Sequence, residues 1–494
     1  MKILVIASLI WLGSACALHK PRPAPTVAGL TPTGGTEDAS MELSAWWESF
    51  GDENLNQVVG AVLKANLDLK VMDQQVAQQQ AMTRLRRAGL LPQLNLAVNG
   101  NLQPGQAISI DLPPSIQDRL NQPEDPYAVT LTSQFTLGYE ADLFGRLRHG
   151  RDAAQADAFA ARADRQTMAL SLAGRTVELY LAALETRARL KQLRSTLTLQ
   201  QKQLALLKRR HERGLADLLA IHQQEQLLAT TGAQIPLLEN SLTTLALQLG
   251  ALQGRTEADV ERLGKRVDFP SLPKLPADGL PASLILRRPD VAAAIARLKA
   301  ADHRLGEALV SRYPSLRIQA AAGLGIAPNS PTGVEIGDLG QAIADDLQNI
   351  FDNPTDQMAW NMGGSLTVPL FSGGRLKAQI DATNTGYQAM ALRYRKTVIG
   401  AVIEMSNSMA AEAAQRAFIE RLLVQERAVR ATRDLAMSRY QEGLIGYQTY
   451  LQAELSLNQV TGSLISARRQ MVSHRVTLLR SLAGPISTTS GGGK

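Results

Sequence analysis

The sequence holds little with which to do covalent chemistry. A single cysteine, Cys16, occurs among 494 residues, so no intrachain disulfide can form. The six histidines, His19, His149, His211, His222, His303 and His474, show no metal-ligand spacing. A phosphate-binding glycine loop, a His-Glu-x-x-His helix and a nucleophile elbow are all missing. No enzymatic activity, cofactor or metal is therefore expected. Aromatic residues make up 4% of the chain against 45% hydrophobic residues, which suits long Ala- and Leu-rich helices better than an aromatic-rich globular core. Beyond the N-terminus, no stretch is long and apolar enough to be a membrane-spanning helix. The formal charge, 52 − 45 = +7, is spread along the chain in mixture with acids, and no basic cluster is interleaved with aromatics. That distribution predicts solvated helix faces and no nucleic-acid surface.

What is present is periodicity, and it occurs twice. Leu170, Ala173, Val177, Leu181, Leu184 and Ala188 alternate steps of three and four, as do Leu457, Val460, Leu464, Ala467, Met471, His474, Leu478 and Leu482. Both runs have coiled-coil spacing, and His474 falls on the apolar seam as a packing residue. The runs about 145–250 and 373–484 are copies of one another. Arg146 and Arg375, and Glu225 and Glu454, stand at the same offset, 375 − 146 = 454 − 225 = 229. The run from about Gly145 to Arg213, at 1.5 Å per residue, reaches on the order of 100 Å.

Between the helical runs the period changes to two. Leu94, Leu96, Val98 and Leu102 alternate with Asn95, Asn99 and Asn101. Val129, Leu131, Phe135, Leu137, Tyr139 and Leu143 alternate with Thr130, Thr132, Gln134, Thr136, Glu140 and Asp142. The second half repeats the pattern with Leu316, Ile318, Ala320, Ala322 and Leu324, then with Trp360, Met362, Leu366, Val368 and Leu370. Two β-hairpins are expected, at about 93–143 and 315–371, each with one apolar and one polar face. Such strands suit a transmembrane β-barrel with lipid outside and water inside. Thr130, Thr132, Gln134, Thr136, Asn361, Ser365 and Thr367 are the expected lumen residues, and Phe135, Tyr139, Phe144, Trp360 and Phe371 are candidates for an aromatic girdle. Phe144 and Phe371 equally suit packing at the strand-to-helix junction. Four strands fall short of the roughly eight that close a barrel, so the barrel must be shared between chains.

At the N-terminus, Lys2, the apolar run Ile3–Leu12 and Gly13-Ser14-Ala15-Cys16 have the three regions of a secretory signal. Cleavage before Cys16 resembles bacterial lipoprotein processing and would leave a lipidated, palmitate-bearing cysteine. The lipoprotein pattern usually has Leu where Gly13 stands, and an ordinary signal peptide with an incidental cysteine is the other reading. Pro21, Pro23, Pro25 and Pro32 predict an extended tether. The expected organisation is a signal peptide over 1–15, a lipidated tether over 16–40, a first repeat over 41–253, a Pro-rich connector over 254–281, a second repeat over 282–486 and a flexible tail over 487–494. Within Leu286-Arg287-Arg288-Pro289-Asp290, the proline stops one helix and Asp290 is expected to cap the next.

Asp142-Leu143-Phe144-Gly145-Arg146, Pro369-Leu370-Phe371-Ser372-Gly373-Gly374-Arg375, the Arg-Arg-Pro-Asp segment and the duplicated pattern resemble the outer-membrane efflux proteins of the TolC/OprM type, in particular the NodT-type lipoproteins. The resemblance covers essentially the whole mature chain. It implies an α+β channel in which a homotrimer shares a twelve-stranded β-barrel continued by a periplasmic α-helical barrel, in the outer membrane of a Gram-negative bacterium. It also implies a periplasmic adaptor protein and an inner-membrane transporter as partners, and export of drugs or other small molecules. By that resemblance Arg213, Gly214, Leu215, Gly443 and Leu444 form adaptor-docking tips. A periplasmic gate falls near Tyr447, Thr449, Tyr450 and Gln452, with the tyrosines expected to narrow the pore where the family often has carboxylates. Two alternatives remain open at this stage: a type I protein-secretion duct and a non-conducting periplasmic coiled-coil lipoprotein.

Overall fold

The computed structural model describes residues 19–27, 45–104, 127–257, 259–261, 266–273, 282–326, 341, 344–345, 348 and 358–482. Cys16, most of the tether, the loops joining the strands of each hairpin and the C-terminal tail lie outside the described residues. In chain order the elements are a 3-10 turn Trp46–Phe50, α1 (Glu53–Ala65), α2 (Leu67–Ala88), β1 (Gln93–Pro104), β2 (Tyr127–Ala141), α3 (Arg146–Glu212) and α4 (Leu218–Leu252). A second 3-10 turn, Ala282–Arg287, then leads to α5 (Pro289–Val310), β3 (Ser315–Ile326), β4 (Met358–Thr367), α6 (Arg375–Gln441) and α7 (Tyr447–Ser481). The duplication holds to the residue. α3 and α6 have 67 residues each and α4 and α7 have 35, all at an offset of 229 (375 − 146 and 447 − 218). α2 and α5 have 22 residues each at 289 − 67 = 222. The difference in length therefore arises within the hairpins and the turns that leave them.

The chain divides into two compact units, one formed by 1–22, 80–155 and 299–387, the other by 23–79, 156–298 and 388–494. In the second unit the coiled-coil seam is the core. Leu170, Ala173, Val177, Leu181 and Leu184 are buried with Val472, Val476 and Leu479, and Trp46, Trp47 and Phe50 close over them. Asp52 fixes that closure. It caps α1 by accepting from the Asn54 and Leu55 amides, and its carboxylate accepts from the Tyr180 hydroxyl at 3.0 Å. Farther along α7, buried Arg475 donates to Glu412 at 2.7 Å and to the carbonyl of Pro273, which fastens the connector to the helices. Asp290 does not sit at a helix N-cap. Pro289, which has no N–H to lose, takes the first helical position, and the Asp290 carboxylate instead accepts from Val291 N and is gripped by Arg288.

In the first unit the strands form one antiparallel sheet in the order β1-β2-β3-β4. The register aligns rows across it, with Leu96 opposite Phe135, Phe135 opposite Ala322, and Ala322 opposite Trp360. The neighbouring row runs through Asn95, Thr136, Ala321 and Asn361. Directly paired residues share a face, so the alternation of each strand adds up to one apolar and one polar side. β2 leads into α3 through a tight turn. Gly145 takes φ +87°, and the Asp142 carboxylate accepts from the Leu147 and Arg148 amides. Gly373 and Gly374, at φ +56° and +84°, make the equivalent turn after β4.

At Gly323 β3 leaves no room for a side chain against β2, since a Cβ there would lie 2.5 Å from the Ser133 carbonyl oxygen. Gly323→Ala is therefore expected to force the two strands apart and to cost about 1–3 kcal/mol. A lowered thermal midpoint of the detergent-solubilised protein checks this, with Gly363→Ala as the unperturbed control because nothing lies within 4 Å of its added Cβ.

Candidate functional site

Two features stand apart from ordinary packing, the sheet's faces and the ends of the helical hairpins. On the sheet, Thr130, Thr132, Gln134, Thr136, Asn361, Ser365 and Thr367 all fall on one face by register. On the other face Trp360 is 75% exposed, with Met362, Leu94, Leu96, Val98 and Phe135 also exposed. Fully burying each such side chain is worth about 1.5–3 kcal/mol, so this face requires an apolar surrounding. Phe144 packs against Tyr313 with ring centres 5.3 Å apart, a junction contact rather than a girdle position, while Phe371 is exposed. No helix among the described residues is long and apolar enough to cross a membrane.

The α3–α4 and α6–α7 connections have the same geometry. Gly214 and Gly443 take φ +71° and +80°, and the following Leu215 and Leu444 amides donate back to the Arg210 and Arg439 carbonyls at 2.8 Å. This six-residue closure ends each long helix and turns the chain outward. It leaves Leu215 66% and Leu444 68% exposed, with Leu218 and Leu219 exposed beside the first, and Arg213 is also at the surface.

Just inside these tips a buried polar network joins all four helices. The Tyr447 hydroxyl donates to Gln224 Oε1, and the Gln224 amide donates to the Gln200 carbonyl at 2.9 Å. The Tyr450 hydroxyl accepts from Gln203 and donates to Glu454 at 3.3 Å, and Arg433 stands 3.6 Å from the same carboxylate. Tyr440 packs on both tyrosines, with ring centres 5.4 and 6.2 Å away, and Arg210 lies 5.1 Å over its face. Burial pushes the hydroxyls of Tyr447 and Tyr450 up, with neighbouring Tyr440 and Glu454 adding to it, so both stay neutral donors.

This arrangement corrects the expectation that Tyr447 and Tyr450 project into a pore. Tyr450 is 2% exposed, because its face of α7 is the one packed against α3 and α4, whereas Thr449 and Gln452 turn outward. Gln203, Gln224, Arg433 and Tyr440 escaped the sequence reading, and Glu454 entered it only as the repeat counterpart of Glu225 and a carboxylate slightly beyond the gate positions. Their signal was the clustering of three of the chain's nine tyrosines between residues 440 and 450.

The outer membrane efflux protein family matches residues 58–255 and 280–484. The chain belongs to this family. The efflux protein is 29% identical over 464 residues to the toluene efflux pump outer membrane protein TtgF of Pseudomonas putida, covering 92% of this chain and 88% of TtgF. It is 28% identical over 498 residues to the pyoverdine export outer membrane protein OpmQ of Pseudomonas aeruginosa, covering 98% and 97%. Among solved structures CusC superposes with a TM-score of 0.77 at 21% identity, over 95% of this chain and 100% of that one, a likeness of fold. The chain is thus an outer-membrane efflux channel subunit with the long-helix and β-barrel fold, and its family and relatives are channel proteins.

In the efflux protein, Tyr450→Phe leaves Gln203 and Glu454 without their shared hydroxyl, a change expected to cost about 1–3 kcal/mol. Faster amide exchange confined to the tip-proximal parts of α3, α4, α6 and α7 is the expected readout.

Proposed function

We propose that three copies of this chain assemble in the outer membrane, each contributing four strands to a twelve-stranded barrel and two helical hairpins to a periplasmic conduit. The observation that carries the reading is the sheet itself. It has one apolar face, and among the described residues β1 and β4 each pair on one side only. Unpaired backbone groups are intolerable at membrane depth, so the edges must find strands of other copies. Thr130, Thr132, Gln134, Thr136, Asn361, Ser365 and Thr367 then line the lumen. Residues 41–253 and 282–486 act as the two repeats of the unit, linked by 254–281. Cys16, freed by removal of 1–15, carries the lipid, and the tether over 16–40 leads from it.

The tips, with Arg213, Gly214, Leu215, Gly443 and Leu444, dock a periplasmic adaptor that hands cargo from an inner-membrane transporter. Exposed leucines held at the same position of two equal turns favour that use over a purely structural one. Thr449 and Gln452 face the closing point of the conduit, and Tyr447 and Tyr450 hold α7 in place behind them. The cargo is small organic molecules, a reading supported by relatives named for toluene and pyoverdine.

Native mass of the detergent-extracted protein should correspond to a trimer that conducts in a planar bilayer once the tip network is loosened. A monomer without conductance would falsify the shared-barrel reading. Separately, Leu215→Asp combined with Leu444→Asp is expected to abolish export in cells while leaving the trimer intact. Unimpaired export by that variant would remove the tips from the docking surface.

A further inference from the structure

Three histidines far apart in sequence meet in the first unit. His149 on α3 and His303 on α5 stand with their Nδ1 atoms 3.4 Å apart. The His19 ring packs edge-on against His149, with centres 5.6 Å apart, and its Nε2 lies 3.2 Å from Asp302 Oδ2. The same oxygen accepts from the backbone N–H of Arg22 at 2.9 Å, and the Arg22 guanidinium lies 5.0 Å over the Tyr387 ring. Asp302, 2% exposed, is thus the seat of the N-terminal segment. The rings are packed without slack, since a Cβ on Gly306 would meet His19 at 2.8 Å and His149 at 3.0 Å. Among the described residues, no group of three His, Cys, Asp or Glu side chains is placed to hold a metal ion. The cluster's remaining chemistry is protonation.

We propose that the His149–His303 pair is an acid-released latch: with both imidazoles neutral it seats His19 and Arg22 on Asp302, and on protonation of the pair it lets the segment go. At 3.4 Å, one neutral ring donates its Nδ1 proton to the bare Nδ1 of the other. A proton on both sets two donors face to face. The Nε2 of His149 is buried without a hydrogen-bond partner, so a charge there has nowhere to be satisfied. The groups around the pair are Asp142 from the turn after β2, Asp152 from α3, Lys299 and Asp302 from α5, with Glu307 of α5 beside Gly150, and His19 and Arg22 from the segment. The aspartates favour protonation of the pair, but burial, followed for His149 by the neighbouring histidines, outweighs them and pushes both rings below the ordinary histidine value of 6.5. The sign follows: the seated state is fully stable above that value and loses stability as pH falls toward the lowered ones.

The Arg22 amide reports directly, and Pro21 beside it adds no N–H. In the full-length protein in detergent, its hydrogen exchange is followed at pH 7.5 and pH 5.5 and corrected for intrinsic rates with an unstructured peptide. Protection is expected to fall several-fold on acidification, and the His149→Gln, His303→Gln double variant is expected to abolish that dependence. Asp302→Asn, which keeps all three histidines, is expected to weaken protection at both pH values and serves if the double variant fails to fold. Protection independent of pH in the unsubstituted protein, or an undiminished pH response in the double variant, overturns the latch. Full protection in Asp302→Asn overturns the seat.

Discussion

The constraint on which the rest depends is that a sheet in a bilayer must leave no backbone group unpaired. Four strands with one apolar face cannot curl far enough to meet their own edge. The chain is therefore committed to association by its strand count, before any side chain at an interface is considered. The register makes that commitment chemically consistent. Rows such as Leu96, Phe135, Ala322 and Trp360 lie together on the lipid side and rows such as Asn95, Thr136, Ala321 and Asn361 on the other. A slip of one residue in any strand would put its whole polar set into lipid. Gly323 leaves no room for a side chain in the pairing where β2 of the first repeat meets β3 of the second.

The duplication carries this constraint into the helices. Both hairpins deliver the chain to a 67-residue helix through turns that need positive φ, at Gly145 and at Gly373-Gly374. The extra glycine in the second turn accounts for part of the change in offset, because β2 and β4 end 367 − 141 = 226 residues apart while the helices begin 229 apart. Variation is tolerated where the backbone is a loop or a turn. It is not tolerated along the seam, where inserting one residue would rotate every later apolar position by about 100°.

Period and turn chemistry explain what the sequence made legible. Strand faces follow from period two, the seam from steps of three and four, and the tips from glycine breaking a helical pattern. Those features are local, so one chain segment contains all the information. The polar network near the tips is not local. Tyr447 and Tyr450 could be placed near the end of the conduit from their position beyond Gly443, but which way they face depends on Gln203 and Gln224 across the bundle. Asp290 misled for a related reason, since proline's preference for the first helical position placed it two positions past the N-cap. The histidines at 19, 149 and 303 have no sequence spacing to detect, and only the packing of the N-terminal segment against α3 and α5 brings them together.

The contrast along α7 bears on how a conduit of this kind opens. From Leu457 to Leu482 the buried positions are mainly aliphatic, and separating them would expose apolar surface with no compensation from water. From Tyr447 to Glu454 the buried contacts are mainly hydrogen bonds and stacked rings. Water can replace hydrogen bonds, so their net contribution is about 0.5–1.5 kcal/mol each, and breaking several together stays within reach of a docking partner's binding energy. The same groups are costly when only one partner is lost, which makes the closed arrangement specific rather than merely loose. In the proposed gate this places the bistable element at the tip end of the hairpins and leaves the seam as a fixed hinge. If the proposed adaptor docks at Leu215 and Leu444, it acts on the helix ends that the network holds, and engagement and opening would then be one event.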